Sequence, residues 1–195
     1  MKHPSNRDLY AYWNERRGNR LAPERADIEP SAIRHVLGDT FVLAADGVAH
    51  YPFRLAGTRL CALHGRELKG ESFIKLWERT GQTAMRELLA VVMEEKSGVV
   101  ASVSASTADD SILSVNLEML LLPLSHESRS EARVLGALAP MTAPYWLGVK
   151  AIGPLKLGML RHMNAAAEAT PIPRFAAAAG RLRRGLVVYQ GGRSD

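Results

Sequence analysis

The sequence is poor in cysteine and contains no long apolar run. Its single cysteine, Cys61, excludes an intramolecular disulfide and most thiolate metal sites, a composition that fits a reducing compartment. No uninterrupted apolar stretch approaches the about 20 residues that span a bilayer. Residues 1–20 also lack the apolar segment of a signal peptide. We therefore expect a cytoplasmic protein.

Net positive charge is absent from most of the chain and concentrated near its end. Residues 1–140 contain 17 Lys and Arg against 18 Asp and Glu, whereas residues 141–195 contain eight against two. The net charge of +5 therefore resides in the last part of the chain. Hydrophobic residues make up 47% and charged residues 23%, as in a globular protein with one core. Any attraction to an acidic partner must involve residues 141–195.

The first 38 residues read as a helical segment with an aromatic apolar face. In RDLYAYWNERR (7–17), Leu9, Tyr12 and Trp13 recur at helical spacing. This face must cover either the chain's own core or the equivalent helix of a second copy. We therefore treat these three side chains as candidate partner-binding residues.

Residues 39–140 alternate between strand and helix patterns. Two strand candidates, TFVLAA (40–45) and YPFRLAG (51–57), precede several short helices, and GQTAMRELLAVVMEEK (81–96) is the clearest long helix. Three further strand patterns follow at 99–106, 112–124 and 133–140. We predict an α+β fold with a five-stranded antiparallel sheet, and with the short helices and the longer helix on one face.

The stretch RLAGTRLCALHGRELKGESF (54–73) raises a choice between a reactive site and a structural one. Cys61 and His64 lie three residues apart and can share a helix face, as a nucleophilic thiolate–imidazole pair requires. No third group orients the histidine, and no oxyanion-hole loop is recognisable. We interpret the glycines at 57, 65 and 70 as the ends of short elements, and the pair as structural.

Beyond Met141 the sequence is rich in Gly, Pro and Ala and loses clean periodicity. GLVVYQGG reads as one short strand between glycines. We predict that residues 141–195 form a basic C-terminal extension with weak internal structure.

The order of elements resembles that of a PAS domain, and the chain resembles a family of bacterial single-domain PAS-like proteins of about this length. The resemblance rests on YWNERRG, PERADIEP, FRLAGT, LLLPL, VLGALAP and the closing LVVYQGG. It implies a sensory or regulatory module of signal transduction without catalytic residues, which binds a small ligand, a signalling protein or both. It also implies a homodimer through residues 7–17 and the outer sheet face.

Where PAS proteins bind small molecules, the pocket lies between the sheet and the short helices. Tyr51, Phe53 and Leu55 share one face of their predicted strand, and the neighbouring helices present further apolar residues. The residues that we expect to face this region, as a ligand pocket or as core, are Phe53, Leu55, Leu60, Leu63, Phe73, Leu76, Trp77, Leu88 and Met93.

The sequence argues against the cofactors of related proteins and does not identify another. Flavin-binding relatives carry a reactive cysteine just after the glycine that corresponds to Gly70, and Phe73 occupies that place here. Haem-binding relatives use a histidine on or near the long helix, and residues 81–96 contain none. Metal-spaced His and Asp clusters and nucleotide-binding glycine loops are also absent from the sequence. We expect a protein that is not an enzyme.

Two basic segments define the alternative functions. Arg16 and Arg20 have the spacing of half a cyclic-dinucleotide clamp, without the second half of that motif. HESRS (126–130) begins like the phosphoacceptor box of a histidine kinase, but it lies in a predicted loop rather than in a helix. The arginines of the last part of the chain would support a nucleic-acid-binding regulator, with salt-sensitive binding lost on deletion of residues 174–195. They are Arg161, Arg174, Arg181, Arg183, Arg184 and Arg193, with Phe175 and Tyr189 as nearby stacking aromatics.

Overall fold

The computed structural model describes most of the chain. The described residues are 1–45, 50–109, 112–125 and 133–163, with the strand backbones of 181–183 and 186–188. Within them the helices are α1 (Pro4–Arg17), α2 (Thr58–His64) and α3 (Gln82–Glu95). The strands are β1 (Thr40–Ala44), β2 (Phe53–Ala56), β3 (Gly98–Ser106), β4 (Ser114–Leu124), β5 (Arg133–Pro140), β6 (Lys156–Met163), β7 (Arg181–Arg183) and β8 (Leu186–Val188).

The central sheet confirms the predicted α+β class and adds one strand to it. Its order is β2-β1-β5-β4-β3-β6, and every neighbouring pair is antiparallel. The prediction of five strands is wrong because β6 pairs with β3, with Val99 opposite His162 and Val100 opposite Arg161. A register shift between Ala101 and Val103 interrupts the two-residue alternation that would have revealed β6 in the sequence.

The sheet is covered by apolar residues on both faces, which explains the nearly continuous apolar run of β4. Leu117, Met119 and Leu121 belong to a cluster with α2 and α3, which we call the inner cluster. Leu120 and Leu122 belong to a second cluster with α1, which we call the outer cluster. Strands that are buried on both faces read as unbroken hydrophobic stretches.

Helix α1 covers the outer face of the chain's own sheet. Leu9 and Trp13 are fully or almost fully buried, and Tyr12 is buried beside them. The Trp13 indole Nε1–H donates to the carbonyl of Pro123 at 2.9 Å, and the Tyr12 hydroxyl accepts from the Glu29 amide at 2.8 Å. The apolar face of α1 therefore covers the chain's own core, which was the first of the two alternatives that the sequence left open.

Residues 141–155 also pack on the fold, although the sequence predicted weak structure for them. Trp146, Ile152 and Leu155 join the inner cluster. The Ile152 amide donates to the carbonyl of Leu63 on α2 at 2.8 Å. The Leu155 amide donates to the carbonyl of Leu76, in the short 3-10 turn before α3, at the same distance. This connecting segment, residues 141–155, thus links α2 to the turn before α3.

Candidate functional site on the inner face

The inner cluster contains most of the residues that the sequence placed there. Phe53, Leu60, Leu63 and Phe73 are almost fully buried in it. Leu76, Trp77 and Leu88 are also buried members, and Met93 is half-buried against the cluster. The expectation that these eight residues face the region between the sheet and the helices agrees with this placement; their role in binding a ligand remains a prediction.

The inward placement predicted for Leu55 is wrong. Val42 lies opposite Leu55, whereas Leu43 lies opposite Phe53, so Arg54 is an extra residue in β2. Such a bulge reverses the side on which the following residue points. Leu55 therefore lies opposite a member of the outer cluster and is 38% exposed.

Aromatic rings fill the centre of the inner face. The Phe73 ring stacks on Phe41 at a centroid distance of 5.4 Å and meets Phe53 and Trp77 edge to face, each at 5.7 Å. These distances are those of directly packed aromatic pairs. A molecule that enters between Phe73 and the sheet must therefore displace one of these rings.

Among the described residues, two buried polar atoms on the inner side have no hydrogen-bond partner. They are the indole Nε1 of Trp77 and the imidazole Nε2 of His64, and the two residues are 2% and 4% exposed. Buried polar side-chain atoms in proteins are nearly always satisfied, so each such atom requires an explanation. Burial lowers the pKa of His64 to about 4, with a smaller contribution from nearby Arg66. The imidazole is therefore neutral at pH 7.

Cys61 and His64 do not form a nucleophilic pair in this conformation. The Cys61 thiol lies 3.6 Å from a carboxylate oxygen of Glu67 and 4.0 Å from the Ala56 carbonyl. Burial and the charge of Glu67 raise the pKa of the thiol. A reactive cysteine needs the opposite, a lowered pKa beside a cation or a helix N-terminus.

The first turn of α1 is held by two buried carboxylates, which the sequence analysis did not identify. Glu118 on β4 accepts from the backbone amides of Lys2 and His3 and from the Asn6 side chain, at 2.7 to 3.1 Å. Asp39, just before β1, accepts from the Ser5 hydroxyl at 2.8 Å. A single charge inside the apolar run VNLEMLLLPL was the available signal for Glu118; no comparable signal marked Asp39.

The remaining basic candidates lie outside the inner face. Arg20 donates to the carbonyls of Arg16 and Arg17 and pairs with Asp27 at 2.7 Å, so it satisfies the C-terminal end of α1. Arg16 lies over the Tyr12 ring at 5.1 Å. Of the arginines in the last part of the chain, Arg161 is exposed on β6, and only the backbone of Arg181 and Arg183 is described. His126, Arg174, Phe175, Arg184, Tyr189 and Arg193 lie outside the described residues.

The described residues contain a polar hollow and no recognisable metal site. A hollow of about 490 Å³ lies beside β2 and is lined by His50, Pro52, Gly70, Glu71, Ser72 and Lys75. No group of three or more His, Cys, Asp or Glu side chains in the described part of the chain could hold a metal ion. No helix among the described residues is long and apolar enough to cross a membrane.

An antiparallel sheet with short helices and one longer helix over one face is the architecture of a PAS-type sensory module. The chain belongs to the PAS domain family, because the family model with that description matches residues 1–139. PAS domains are typically sensory and signalling modules without catalytic activity, and they commonly mediate dimerisation. A search of curated proteins found no match to this chain. Residues 140–163, with β6, extend the sheet beyond the matched region.

Proposed function

We propose that this protein is a non-enzymatic cytoplasmic regulator of signal transduction that binds a small ligand on the inner side of its sheet. The unpartnered Trp77 indole N–H and His64 Nε2, both buried on the inner side, carry this proposal. A bound molecule with a hydrogen-bond acceptor would satisfy the indole and repay the cost of its burial. Because the Phe73 ring packs against Trp77, it is the ring that we expect to move to admit this molecule.

The remaining ligand-binding residues in this proposal supply apolar contact. Phe53 on β2 and Leu88 on α3 would contact the ligand, and the other members, Leu60, Leu63, Leu76 and Met93, would supply further apolar contacts. The polar groups that the proposal uses are uncharged, namely the Trp77 indole and the neutral His64 imidazole, so a charged group in the ligand would lose its hydration without an opposite charge to replace it. The proposal therefore favours an uncharged ligand.

The proposed response passes to a second copy of the chain or to a signalling protein. Leu9, Tyr12 and Trp13 are buried against the chain's own sheet, so an interface at α1 would use its exposed side or require α1 to move. Ala11 lies on the exposed side. For a homodimer through that side, Ala11→Arg should reduce the mass measured by light scattering to that of one chain.

Native mass spectrometry of the gently purified full chain tests the ligand and the assembly together. An excess mass per subunit that disappears on denaturation would support a ligand-binding module, and its chemical identification would follow. A bare mass would count against a co-purifying ligand and favour signalling through protein contacts. The number of subunits in the same spectrum tests the homodimer.

A nuclear magnetic resonance measurement connects the ligand to the site. On addition of the molecule identified by mass spectrometry, the indole N–H signal of Trp77 should shift, and Trp77→Phe assigns that signal. Trp13 is the matched control because its indole already donates to Pro123. Equal shifts at both indoles would argue against binding on the inner face.

A further inference from the structure

Helices α1 and α2 lie on opposite faces of the sheet, and one carboxylate contacts both. Arg59 on α2 donates to Asp39 through Nε and Nη2, each at 2.7 Å. Ser5 on α1 donates its hydroxyl to Oδ2 of the same carboxylate at 2.8 Å. Oδ2 therefore accepts from both helices, and the Asp39 side chain is only 2% exposed.

Close backbone packing holds the turn that carries Asp39 against the start of α2. Gly57, at the start of α2, packs so tightly on the turn Leu37–Asp39 that a Cβ there would overlap the carbonyl oxygens of Leu37 and Gly38. A Cβ at Gly38 would lie 3.2 Å from the Arg59 guanidinium. Glycine at both positions allows α2, its guanidinium and the Asp39 turn to approach closely.

The second anchor of α1 does not involve α2. Glu118 binds the amides of Lys2 and His3 from β4, which is a central strand of the sheet. The beginning of α1 is thus held by Glu118, which lies on the sheet, and by Asp39, which also contacts α2 through Arg59. Movement of α2 would change only the Asp39 contact.

We propose that Asp39 couples the position of α2 to the docking of α1 on the outer face. When α2 shifts, the Arg59 fork draws the shared Oδ2 away from Ser5, because a two-bond guanidinium–carboxylate contact keeps its geometry. The first turn of α1 then loses a hydrogen bond to a charged acceptor, and α1 opens more often from the outer cluster. This coupling needs no particular ligand and goes beyond the proposed function.

Hydrogen–deuterium exchange of the full chain tests the coupling. Ser5→Ala removes the contact on the α1 side, and we expect the amides of residues 9–13 to exchange about tenfold faster, as fits the loss of one charge-assisted hydrogen bond. Arg59→Met acts from the other face of the sheet and should accelerate the same amides by a similar factor. In the double variant the two effects should combine to less than their product, since they act through one carboxylate.

The controls separate coupling from general destabilisation. Arg66→Met removes a similar fork, from Arg66 to Glu71, that does not involve the anchors of α1, and should leave residues 9–13 within about twofold of the wild type. The amides of residues 120–122 in β4 report global opening. Faster exchange at residues 9–13 but not at 120–122 would support the coupling. Arg59→Met with no change at residues 9–13, or with an equal change at 120–122, would overturn it.

Discussion

Gly57 lies directly against the backbone of Leu37, where the N-terminus of α2 meets the turn before β1. The Gly57 amide also donates to the Thr40 carbonyl at 2.8 Å. Moving Gly57 away from Leu37 would therefore separate the start of α2 from the sheet. The same glycine directly follows β2 within the motif FRLAGT, so its place in the sequence reflects the close approach of two backbone segments.

Gly57→Ala should therefore be among the most destabilising single substitutions in this region. The added methyl group would overlap backbone atoms of Leu37 and Gly38, which cannot rotate away as a side chain can. We expect a loss of about 3 kcal/mol or more in the free energy of unfolding, measured by urea denaturation. Gly81→Ala is the control, since its Cβ would meet Glu78 at an ordinary 3.5 Å and should cost about 1 kcal/mol or less. Similar losses in both variants would contradict this interpretation.

His64 should make the protein less stable as the pH falls through the range of a normal histidine. The pKa of His64 is about 4 in the folded protein and 6.5 in the unfolded chain, so the unfolded chain binds the additional proton between these values. Stability therefore decreases from pH 6.5 to pH 4, by about 3 kcal/mol over the whole interval. The decrease begins about one pH unit above 6.5, where the unfolded histidine starts to bind its proton, and at higher pH this group contributes no pH dependence.

His64→Leu provides the comparison for that measurement. Urea denaturation at pH 7, 5.5 and 4.5 should give a smaller loss for His64→Leu than for the wild type. His35, an exposed histidine 3.3 Å from Asp8, serves as control, and His35→Gln should keep most of the wild-type loss. Parallel pH dependence in the wild type and His64→Leu would show that the buried imidazole is not responsible.

Cys61 should react slowly with alkylating reagents in the folded protein. Burial and the Glu67 carboxylate raise the pKa of the thiol, and only the thiolate reacts. We expect the rate with iodoacetamide at pH 7.5 to be lower by about tenfold or more than in the unfolded chain. Glu67→Gln removes the nearby negative charge and should increase the folded-state rate. Rapid alkylation of the folded wild type would instead favour the alternative that Cys61 and His64 form a reactive thiolate–imidazole pair.

Glu118→Gln should loosen the start of α1. The amide side chain retains one acceptor but loses the charge that strengthens the bonds from Lys2 and His3, and its NH2 group faces other donors. We expect about 1–3 kcal/mol of destabilisation together with faster proteolysis within residues 1–17. Glu94→Gln, on the exposed side of α3, should change neither quantity. Unchanged proteolysis in Glu118→Gln would mean that this carboxylate does not hold the helix.

The sequence predicted elements where one periodicity persists and failed where the backbone departs from it. Helix α3 and strands β3, β4 and β5 follow regular apolar patterns, and they lie where the patterns predicted them. The prediction that Leu55 points inward failed because Arg54 is an extra residue in β2. The side chains of β2 give no sign of this bulge in the sequence. Strand β6 was not predicted for a similar reason. Its irregular register with β3 and its Gly158 interrupt the alternation of apolar and polar residues that indicates a strand.

The sequence likewise predicted one part of the candidate site, its apolar residues, and did not predict its polar contacts. The apolar residues around Phe73 could be assigned from helical and strand spacing, because burial follows from those patterns. The unpartnered state of Trp77 Nε1 and His64 Nε2 depends on which side-chain directions meet in three dimensions. The contact of Ser5 and Arg59 with Asp39 joins residues 34 and 20 positions apart, and nothing local in the sequence indicates it.

The pairing of β6 with β3 determines where the chain can be shortened. In a protein ending at residue 140, β3 would become a nine-residue edge strand with unpaired amides and carbonyls. The amides of Ile152 and Leu155 would no longer cap the carbonyls of Leu63 and Leu76. Exposed edges of this kind recruit other strands, so such a fragment should aggregate, whereas one ending after Met163 should remain monodisperse or form a defined oligomer. We therefore expect the smallest autonomously folding unit to exceed the region matched by the family model by one strand and its connection.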